Sequence, residues 1–131
     1  GGGFASGLSI AYCFTPIAGF SAFGSYIGNG SADGPFIYTG FKPAFVLIKR
    51  TDVGNDWNIH DAVRDPYNLT SKYLSANNSG AEDNTTNQID MYSNGFKLRN
   101  ANAMTNASAG TFIYAAFVEV PSFGATPAKA R

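Results

Sequence analysis

The sequence contains one cysteine and one histidine among its 131 residues. A single cysteine excludes both an intramolecular disulfide and a cysteine-based metal site. Cys13 stands between Tyr12 and Phe14, and these apolar neighbours predict a small buried hydrophobic residue rather than a reactive thiolate. His60 directly precedes Asp61, so that on a strand the two side chains point to opposite faces and do not form a catalytic pair. We therefore expect an exposed strand histidine and no site of the Ser-His-Asp type.

Charged residues are also scarce, since they make up 14% of the chain, and the nine basic residues balance the nine acidic ones. A nucleic-acid-binding domain usually carries a basic excess gathered into a stripe, so nucleic acid is not an expected partner. No apolar run approaches the roughly 20 residues that a membrane-spanning helix needs, so membrane insertion is not expected either. The length fits one domain with a short addition.

Carboxylates remain as candidates for chemistry, and most of them stand in turn-like segments. Asp52 and Asp56 lie among glycine and asparagine, and Glu82 and Asp83 precede Asn84. Aspartate is common in such segments because its side chain caps turns, and neither segment matches an EF-hand calcium loop. Glycoside hydrolysis requires two carboxylates at a defined separation, which the pattern of this sequence does not establish. We expect no catalytic residue, no metal and no cofactor, and hence a protein that is not an enzyme.

The distribution of apolar residues is that of a β protein. Short runs rich in aromatic and β-branched residues alternate with clusters of glycine, asparagine, aspartate and serine, at the spacing typical of a sandwich or barrel. The runs cover residues 36–39, 44–49, 57–60, 89–92, 96–99 and 111–120. The best helix candidate, residues 62–65, is stopped by Pro66. The sequence predicts an all-β fold, an antiparallel β-sandwich of a jelly-roll-like kind, with about eight to nine short strands and negligible helix.

Several runs indicate which side chains face the core. The continuously apolar run at 44–49 predicts a strand covered on both faces, and the last run predicts a central strand. Trp57 and Ile59 share one face, which we assign to the core, while Asn58 and His60 share the other. The dipeptide Asn94-Gly95 joins two alternating runs and favours a type I′ hairpin turn with positive φ. The same alternation predicts four inward side chains in this hairpin: Ile89, Met91, Phe96 and Leu98.

The two ends of the chain resemble each other, because residues 7–14 can be aligned with residues 110–117. The positions that agree are Gly7, Ile10, Phe14 and Phe20 with Gly110, Ile113, Phe117 and Phe123. Chance β composition accounts for this similarity, or else the first residues are the last strand of a preceding copy or a strand exchanged between subunits. We predict a linker with an orphan strand at 1–20, a sandwich domain at 21–123 and a tail at 124–131. The assembly residues of the orphan strand are Leu8, Ile10, Tyr12 and Phe14.

A long polar stretch at residues 75–88 has scarcely any apolar residue and so contributes little to a core. It is either a tolerated surface loop or a recognition loop. Asparagine and serine offer hydrogen bonds to sugar hydroxyls, and nearby tyrosines offer a stacking face; alternatively, the tyrosines close the ends of loops. The candidate binding residues are Asn77, Asn78, Asn84 and Asn87, together with Tyr67, Tyr73 and Tyr92.

Three sets of residues carry a resemblance to a known family. They are the string at 23–31, the longer string Tyr38-Thr39-Gly40-Phe41-Lys42-Pro43 with the apolar run that follows it, and the segments at 57–61, 93–99 and 106–117. Together they resemble a β-rich repeat module near the C-termini of tail-fibre-like virion proteins of tailed phages, notably phages of marine cyanobacteria. The resemblance covers about residues 20–121. His60 departs from the aromatic or aliphatic residue expected at its position.

The resemblance implies a place in the virion and carries no catalytic pattern. It predicts the distal module of a tail fibre that presents loops for attachment to the host surface. The alternative is a capsid decoration or a self-polymerising fibre subunit, assembled by addition of the N-terminal strand to a neighbour. The expected partners are further copies in a homotrimer or another homo-oligomer, other virion proteins and a host-surface glycan.

Overall fold

The computed structural model describes residues 11–119, and within this range the chain forms eight β-strands and no helix. The predicted fold class is therefore confirmed. The predicted assembly residues Leu8 and Ile10 lie outside the described residues. The strands are β1 (Ser21–Ile27), β2 (Phe36–Tyr38), β3 (Pro43–Arg50), β4 (Asn58–Asp61), β5 (Leu74–Ser75), β6 (Ile89–Tyr92), β7 (Gly95–Leu98) and β8 (Thr111–Val118).

The strands form two antiparallel sheets packed as a sandwich. The larger sheet has five strands in the order β1-β8-β3-β4-β5, and the smaller sheet has three in the order β2-β7-β6. β8 pairs with β1 on one side and with β3 on the other, so the predicted central position of the last strand is confirmed. A bulge lies in β3 between Pro43 and Phe45.

The core fills the space between the inner faces of the two sheets. From the larger sheet it takes Val46, Ile48, Phe112 and Ala116, and from the smaller sheet Ile37, Ile89, Met91, Phe96 and Leu98, with Phe41 from the loop that precedes β3. The four inward side chains predicted for the hairpin are confirmed, since all of them are buried. The ring of Phe96 packs edge-on against that of Tyr114 at 5.5 Å, which joins the two sheets.

The predicted faces of β4 are inverted in the structure. Asn58 and His60 are fully buried, whereas Trp57 and Ile59 are partly exposed on the opposite side of the sheet. Asn58 is accommodated inside because its side-chain oxygen accepts a hydrogen bond from Asn87 at 2.8 Å. Polar side chains therefore occupy the core face of this strand and the larger apolar ones the outer face, so residue polarity alone assigned the faces wrongly.

The hairpin between β6 and β7 forms, but its loop is one residue earlier than predicted. Tyr92 pairs with Gly95, so the loop residues are Ser93 and Asn94. Gly95 opens β7, and its φ is not positive. It must be glycine for a different reason, because a Cβ there would lie 2.2 Å from the carbonyl oxygen of Ile37. The type I′ assignment was therefore wrong, although the hairpin itself was predicted correctly.

The chain enters the sandwich through a tight reversal. Ile17 and Ser21 form an antiparallel bridge around Gly19, whose φ is +73°. Residues 11–16 form no backbone ladder with any strand in the described range. Cys13, predicted to be buried, is exposed, because this segment lies on the outside of the sandwich with no described layer above it.

A network of buried amides holds the loops at one end of the sandwich. The Asn106 amide nitrogen donates to Asn29 Oδ1 at 3.0 Å, to the Ser31 carbonyl at 2.8 Å and to the Asn100 carbonyl at 2.7 Å. Thr105 donates to Asn100 Oδ1 at 3.0 Å. Buried polar groups are costly unless they are hydrogen-bonded, so these bonds fix the loop before β8 against the loop after β1.

Replacing Gly95 with alanine is expected to lower the free energy of unfolding by about 1–3 kcal/mol, because the new methyl group meets the backbone of β2. Gly54→Ala is the matched control. A Cβ at Gly54 has no atom within 4 Å, so stability there is expected to be unchanged or higher by up to about 1 kcal/mol. Urea unfolding of both variants measures the difference. Equal effects at the two positions would contradict the steric requirement at Gly95.

His60 predicts a loss of stability in mild acid. Desolvation by burial, followed by the nearby charge of Arg64, lowers the pKa of His60 from 6.5 to about 3. The folded state therefore binds fewer protons than the unfolded chain below pH 6.5, and the stability present above that pH is lost as the pH falls towards 3. The expected decrease is up to about 1.4 kcal/mol per pH unit.

Urea unfolding between about pH 7 and pH 4.5 tests this dependence, because carboxylates titrate mostly below that window. The control is His60→Leu, which keeps an apolar side chain against Tyr73 but cannot be protonated. We expect its stability to be nearly flat over the same window. A slope equal to that of the wild type would show that another group is responsible.

Candidate functional site

The candidate binding residues from the polar loop are used largely within the fold. Asn77 donates to Asp56 Oδ1 at 2.7 Å and accepts a hydrogen bond from the Trp57 backbone at 2.8 Å. Asn78 donates to Asp56 Oδ2 at 3.0 Å. Both amides therefore hold the loop against the start of β4. Only Asn84 of the four asparagines is exposed without a side-chain role of this kind.

Asn87 and Tyr73 were wrongly predicted to be surface binding residues. Asn87 is fully buried and its amide donates to Asn58. Tyr73 is also buried, with its ring centroid 6.0 Å from that of His60. Both side chains pack beneath the polar loop against the inner face of β4, where Asn87 contacts Asn58 and Tyr73 contacts His60. Neither is accessible to a ligand.

The remaining two tyrosines are exposed beside β6. Tyr67 is exposed and lines a shallow groove with Lys42 and Asp65. Tyr92 lies on the outer face of the smaller sheet. The predicted binding residues therefore do not form one site, since they divide between the polar loop, the core and the surroundings of β6.

Exposed aromatic side chains form a patch on the smaller sheet, made of Phe36, Tyr38 and Tyr92. These side chains are 46%, 68% and 40% exposed. The rings of Phe36 and Tyr92 are 5.9 Å apart, and Tyr38 and Tyr92 flank Gly95 in one cross-strand row. The sequence indicated this patch only partly: Phe36 and Tyr38 alternate with the buried Ile37, but the pairing of β2 with β7 was not predicted.

Ion pairs border the aromatic patch. Lys97 contacts Asp33 at 2.5 Å, and Arg99 contacts Asp90 at 3.3 Å. The hydrogen bond from Lys97 lowers the pKa of Asp33, so this carboxylate remains charged at neutral pH. The patch thus combines exposed rings with polar groups at its edge.

The outer face of the larger sheet carries an apolar row that crosses all five strands. Cross-strand pairing places Phe23, Ala115, Leu47, Ile59 and Leu74 in this row. Phenylalanines continue the face on one side of the row. Trp57 and Ile113 continue it on the other side, where Ser25 and Lys49 flank Ile113. We call this surface the outer apolar face; its residues are Phe23, Phe45, Leu47, Trp57, Ile59, Leu74, Ile113, Ala115 and Phe117, all partly or largely exposed.

The chain before β1 lies on the outer apolar face. Phe14 stacks on Phe23 at 5.6 Å and meets Phe117 edge-on at 6.3 Å. Tyr12 lies further along and lines a groove of about 530 Å³ with Leu47 and Trp57. Tyr12 and Phe14 are nevertheless 80% and 67% exposed. They cover the face only in part.

Most acidic side chains considered for chemistry are engaged in ion pairs or turns. The hydrogen bond from Arg50 lowers the pKa of Asp52 to about 2, and Arg50 Nε lies 2.7 Å from that carboxylate. Asp61 pairs with Arg64. Asp65 accepts hydrogen bonds from the backbone of Ser71 at 2.7 Å and of Lys72 at 3.1 Å. These carboxylates stabilise local structure in the described part of the chain.

The run at 44–49 was predicted to be covered on both faces, but within residues 11–119 its outer side chains Phe45 and Leu47 are only partly covered. The sequence therefore indicated an apolar outer face without identifying it as a site. No helix among residues 11–119 is long and apolar enough to cross a membrane.

Comparison with known proteins gives one match. The searches of curated proteins and of solved structures each found no match. A family model described as a domain of unknown function, DUF7483, matches residues 4–121. The match begins within the segment predicted as a linker and continues through β8, so it includes both the chain on the outer apolar face and the sandwich beneath it. The chain belongs to this family, DUF7483.

Proposed function

We propose that this domain is a non-enzymatic structural module of a virion, a component of a tail-fibre-like assembly that contacts its neighbours through the outer apolar face. The observation that carries the proposal is the extent of that face, which crosses all five strands of the larger sheet and is only partly covered. The virion setting rests on the resemblance to phage fibre modules.

Four aromatic rings surround Phe117 on this face. The ring centroids of Phe14, Phe20, Phe23 and Phe45 lie 6.3, 6.3, 5.7 and 6.0 Å from it. Aromatic clusters of this size contribute strongly to interfaces, and a continuous exposed apolar patch marks an interaction surface. Burial of apolar area contributes roughly 25 cal/mol per Å², from which the entropic and desolvation costs of association are subtracted. Contact with a neighbouring subunit is the role that this surface fits.

The segment before β1 supports the same proposal. Tyr12 and Phe14 contact the face, and Leu8 and Ile10 continue the same alternation in the sequence. The family match begins at residue 4, so this segment is a feature that the family shares. An N-terminal strand that completes a neighbouring subunit, as in a polymerising fibre, is consistent with both observations.

Ile113→Lys tests the role of the outer apolar face. Ile113 is 40% exposed on this face and lies opposite Lys49, so lysine is expected to keep the fold at some cost in stability and to place a second charge in the interface. We expect self-association to weaken by about tenfold or more, which corresponds to about 1.4 kcal/mol. Sedimentation over a series of concentrations measures the association, and circular dichroism verifies the fold.

The matched control is Val63→Lys, which adds the same charge at an exposed apolar residue in a loop and is expected to associate as the wild type does. Removal of residues 1–10 gives a second arm, because it spares the Ile17–Ser21 bridge and should leave a folded monomer with weakened assembly. Wild-type association by Ile113→Lys would refute the proposed role of the face.

Attachment to the host surface is a second candidate function, and the aromatic patch on the smaller sheet favours it. Exposed tyrosine rings next to charged groups suit a sugar, which presents an apolar ring face and hydroxyl groups together. We expect the assembled wild-type protein to bind host-surface polysaccharide and the double variant Tyr38→Ala/Tyr92→Ala to bind at least about tenfold more weakly. Tyr67→Ala is the control for an exposed tyrosine outside the patch. Absence of binding by the assembled wild type would end this candidate.

A further inference from the structure

Two open sheets have four edges, and three of them are protected. β2 and β5 contain three and two residues. The outer edge of β6 is hydrogen-bonded by the backbone of Thr70 at Ile89 and by the side-chain amide of Asn68 at Met91, with donor–acceptor distances of 2.8–3.0 Å. Short strands and covered edges are the usual protection of a sheet against pairing with another chain.

The fourth edge belongs to β1 and is open within residues 11–119. Gly28 donates to the Gly110 carbonyl, and Val118 donates to that of Phe20, so the even-numbered residues of β1 are those that bond to β8. Since successive residues of a strand direct their backbone groups to opposite sides, Phe23, Ser25 and Ile27 direct theirs away from the sheet. No hydrogen bond satisfies these outward groups within the described part of the chain.

The sequence of β1 carries none of the features that discourage pairing. It reads SAFGSYI, without a charged residue or a proline, and its pairing with β8 is continuous from Ser21 to Ile27 without a bulge. Ile27 is 58% exposed at the end of the strand. A long, flat, uncharged edge of this kind is a template for another strand.

The described N-terminal segment leaves this edge free. Its backbone pairing with β1 ends at the Ile17–Ser21 bridge. Phe14 then lies on the ring of Phe23, on the face of the sheet, and Tyr12 continues towards Trp57. The chain thus turns away from the edge after one bridge, and within residues 11–119 the outward backbone groups of Phe23, Ser25 and Ile27 remain unpaired.

We propose that the open edge of β1 pairs antiparallel with β1 of a second copy of this chain, about a two-fold axis at Ser25. In this register Ser25 lies opposite the partner's Ser25, and Phe23 lies opposite the partner's Ile27. The three residues with outward backbone groups on each strand then face one another as hydrogen-bonded pairs. Each partner supplies equal numbers of donors and acceptors, as an isologous contact requires.

Side chains on the outer face agree with this register. The pairing places the exposed Ile27 beside Phe23 of the partner subunit, and pairs of aromatic and β-branched residues stabilise neighbouring strands. No like charges meet, because the strand carries no charge. The result is one continuous ten-stranded sheet, in which the outer apolar faces of the two copies become a single surface.

A seven-residue edge by itself buries less than the roughly 800 Å² per partner that is typical of stable complexes. The contact is therefore expected to be weak in dilute solution and to form increasingly as the protein concentration rises. This inference rests on the edge alone and does not depend on the proposed function.

Disulfide formation by Ser25→Cys in a Cys13→Ser background tests the register. Residues opposite each other in a hydrogen-bonded antiparallel pair have Cα atoms about 5.5 Å apart, which lies within the range that a disulfide spans. We expect a cross-linked dimer to form under mild oxidation at least about tenfold faster than with Val63→Cys in the same background, because pairing raises the local thiol concentration. Equal rates for the two variants would overturn the proposal.

Two further variants distinguish pairing at the edge of β1 from assembly through the N-terminal segment. Ser25→Pro removes the outward N–H without touching the β8 ladder and is expected to weaken dimer formation in sedimentation, with folding verified by circular dichroism. Ser25→Cys cross-linking should survive the removal of residues 1–10. Loss of cross-linking in this variant would show that the N-terminal segment, and not the edge of β1, holds the two copies together, and this outcome would also overturn the proposal.

Discussion

The pairing of β8 with both β1 and β3 is the contact on which the rest of the structure depends. These three strands are the longest in the described chain, and the side chains of β8 are apolar on both faces. One face closes the core through Phe112 and Ala116. Ile113, Ala115 and Phe117 occupy the other face of β8 and make it apolar. The strand pairing that builds the core therefore also leaves an apolar surface outside it. Within residues 11–119 no third layer covers that surface, and we propose that a neighbouring subunit supplies one.

Buried polar groups impose the second constraint. Asn58, Asn87, Thr105 and Asn106 are fully buried, and each is retained because it has a hydrogen-bond partner. They tie the irregular segments to the strands, which allows long loops without a large apolar core beneath them. His60 is the exception in this part of the chain, since neither ring nitrogen has a hydrogen-bond partner, and burial without a partner makes the folded state sensitive to acid.

Sequence patterns predicted the fold class and most strands because alternation and turn residues are local signals. The hairpin side chains from Ile89 to Leu98 were assigned correctly, since apolar and polar residues alternate there in the usual sense. The faces of β4 were inverted because each alternating set has a place: inside, Asn58 bonds to Asn87 and His60 packs beside Tyr73, while Trp57 lines the groove outside. Asn87 and Tyr73 were misplaced because a polar side chain was assigned to the surface, whereas both are buried against the inner face of β4. The outer apolar face and the open edge depend on which strands are neighbours, and that is set by pairing between residues far apart in sequence.

Trp57 is the only tryptophan in the chain, and it lines the groove on the outer apolar face, so its fluorescence reports directly on whether that face is covered. The decisive measurement is acrylamide quenching of Trp57 in the monomer and in the assembled protein. Assembly through the face predicts a shift of emission to shorter wavelength and a quenching constant reduced by about half or more, since a buried indole is shielded from solvent. Unchanged emission and quenching in a protein that has assembled would contradict assembly through the outer apolar face.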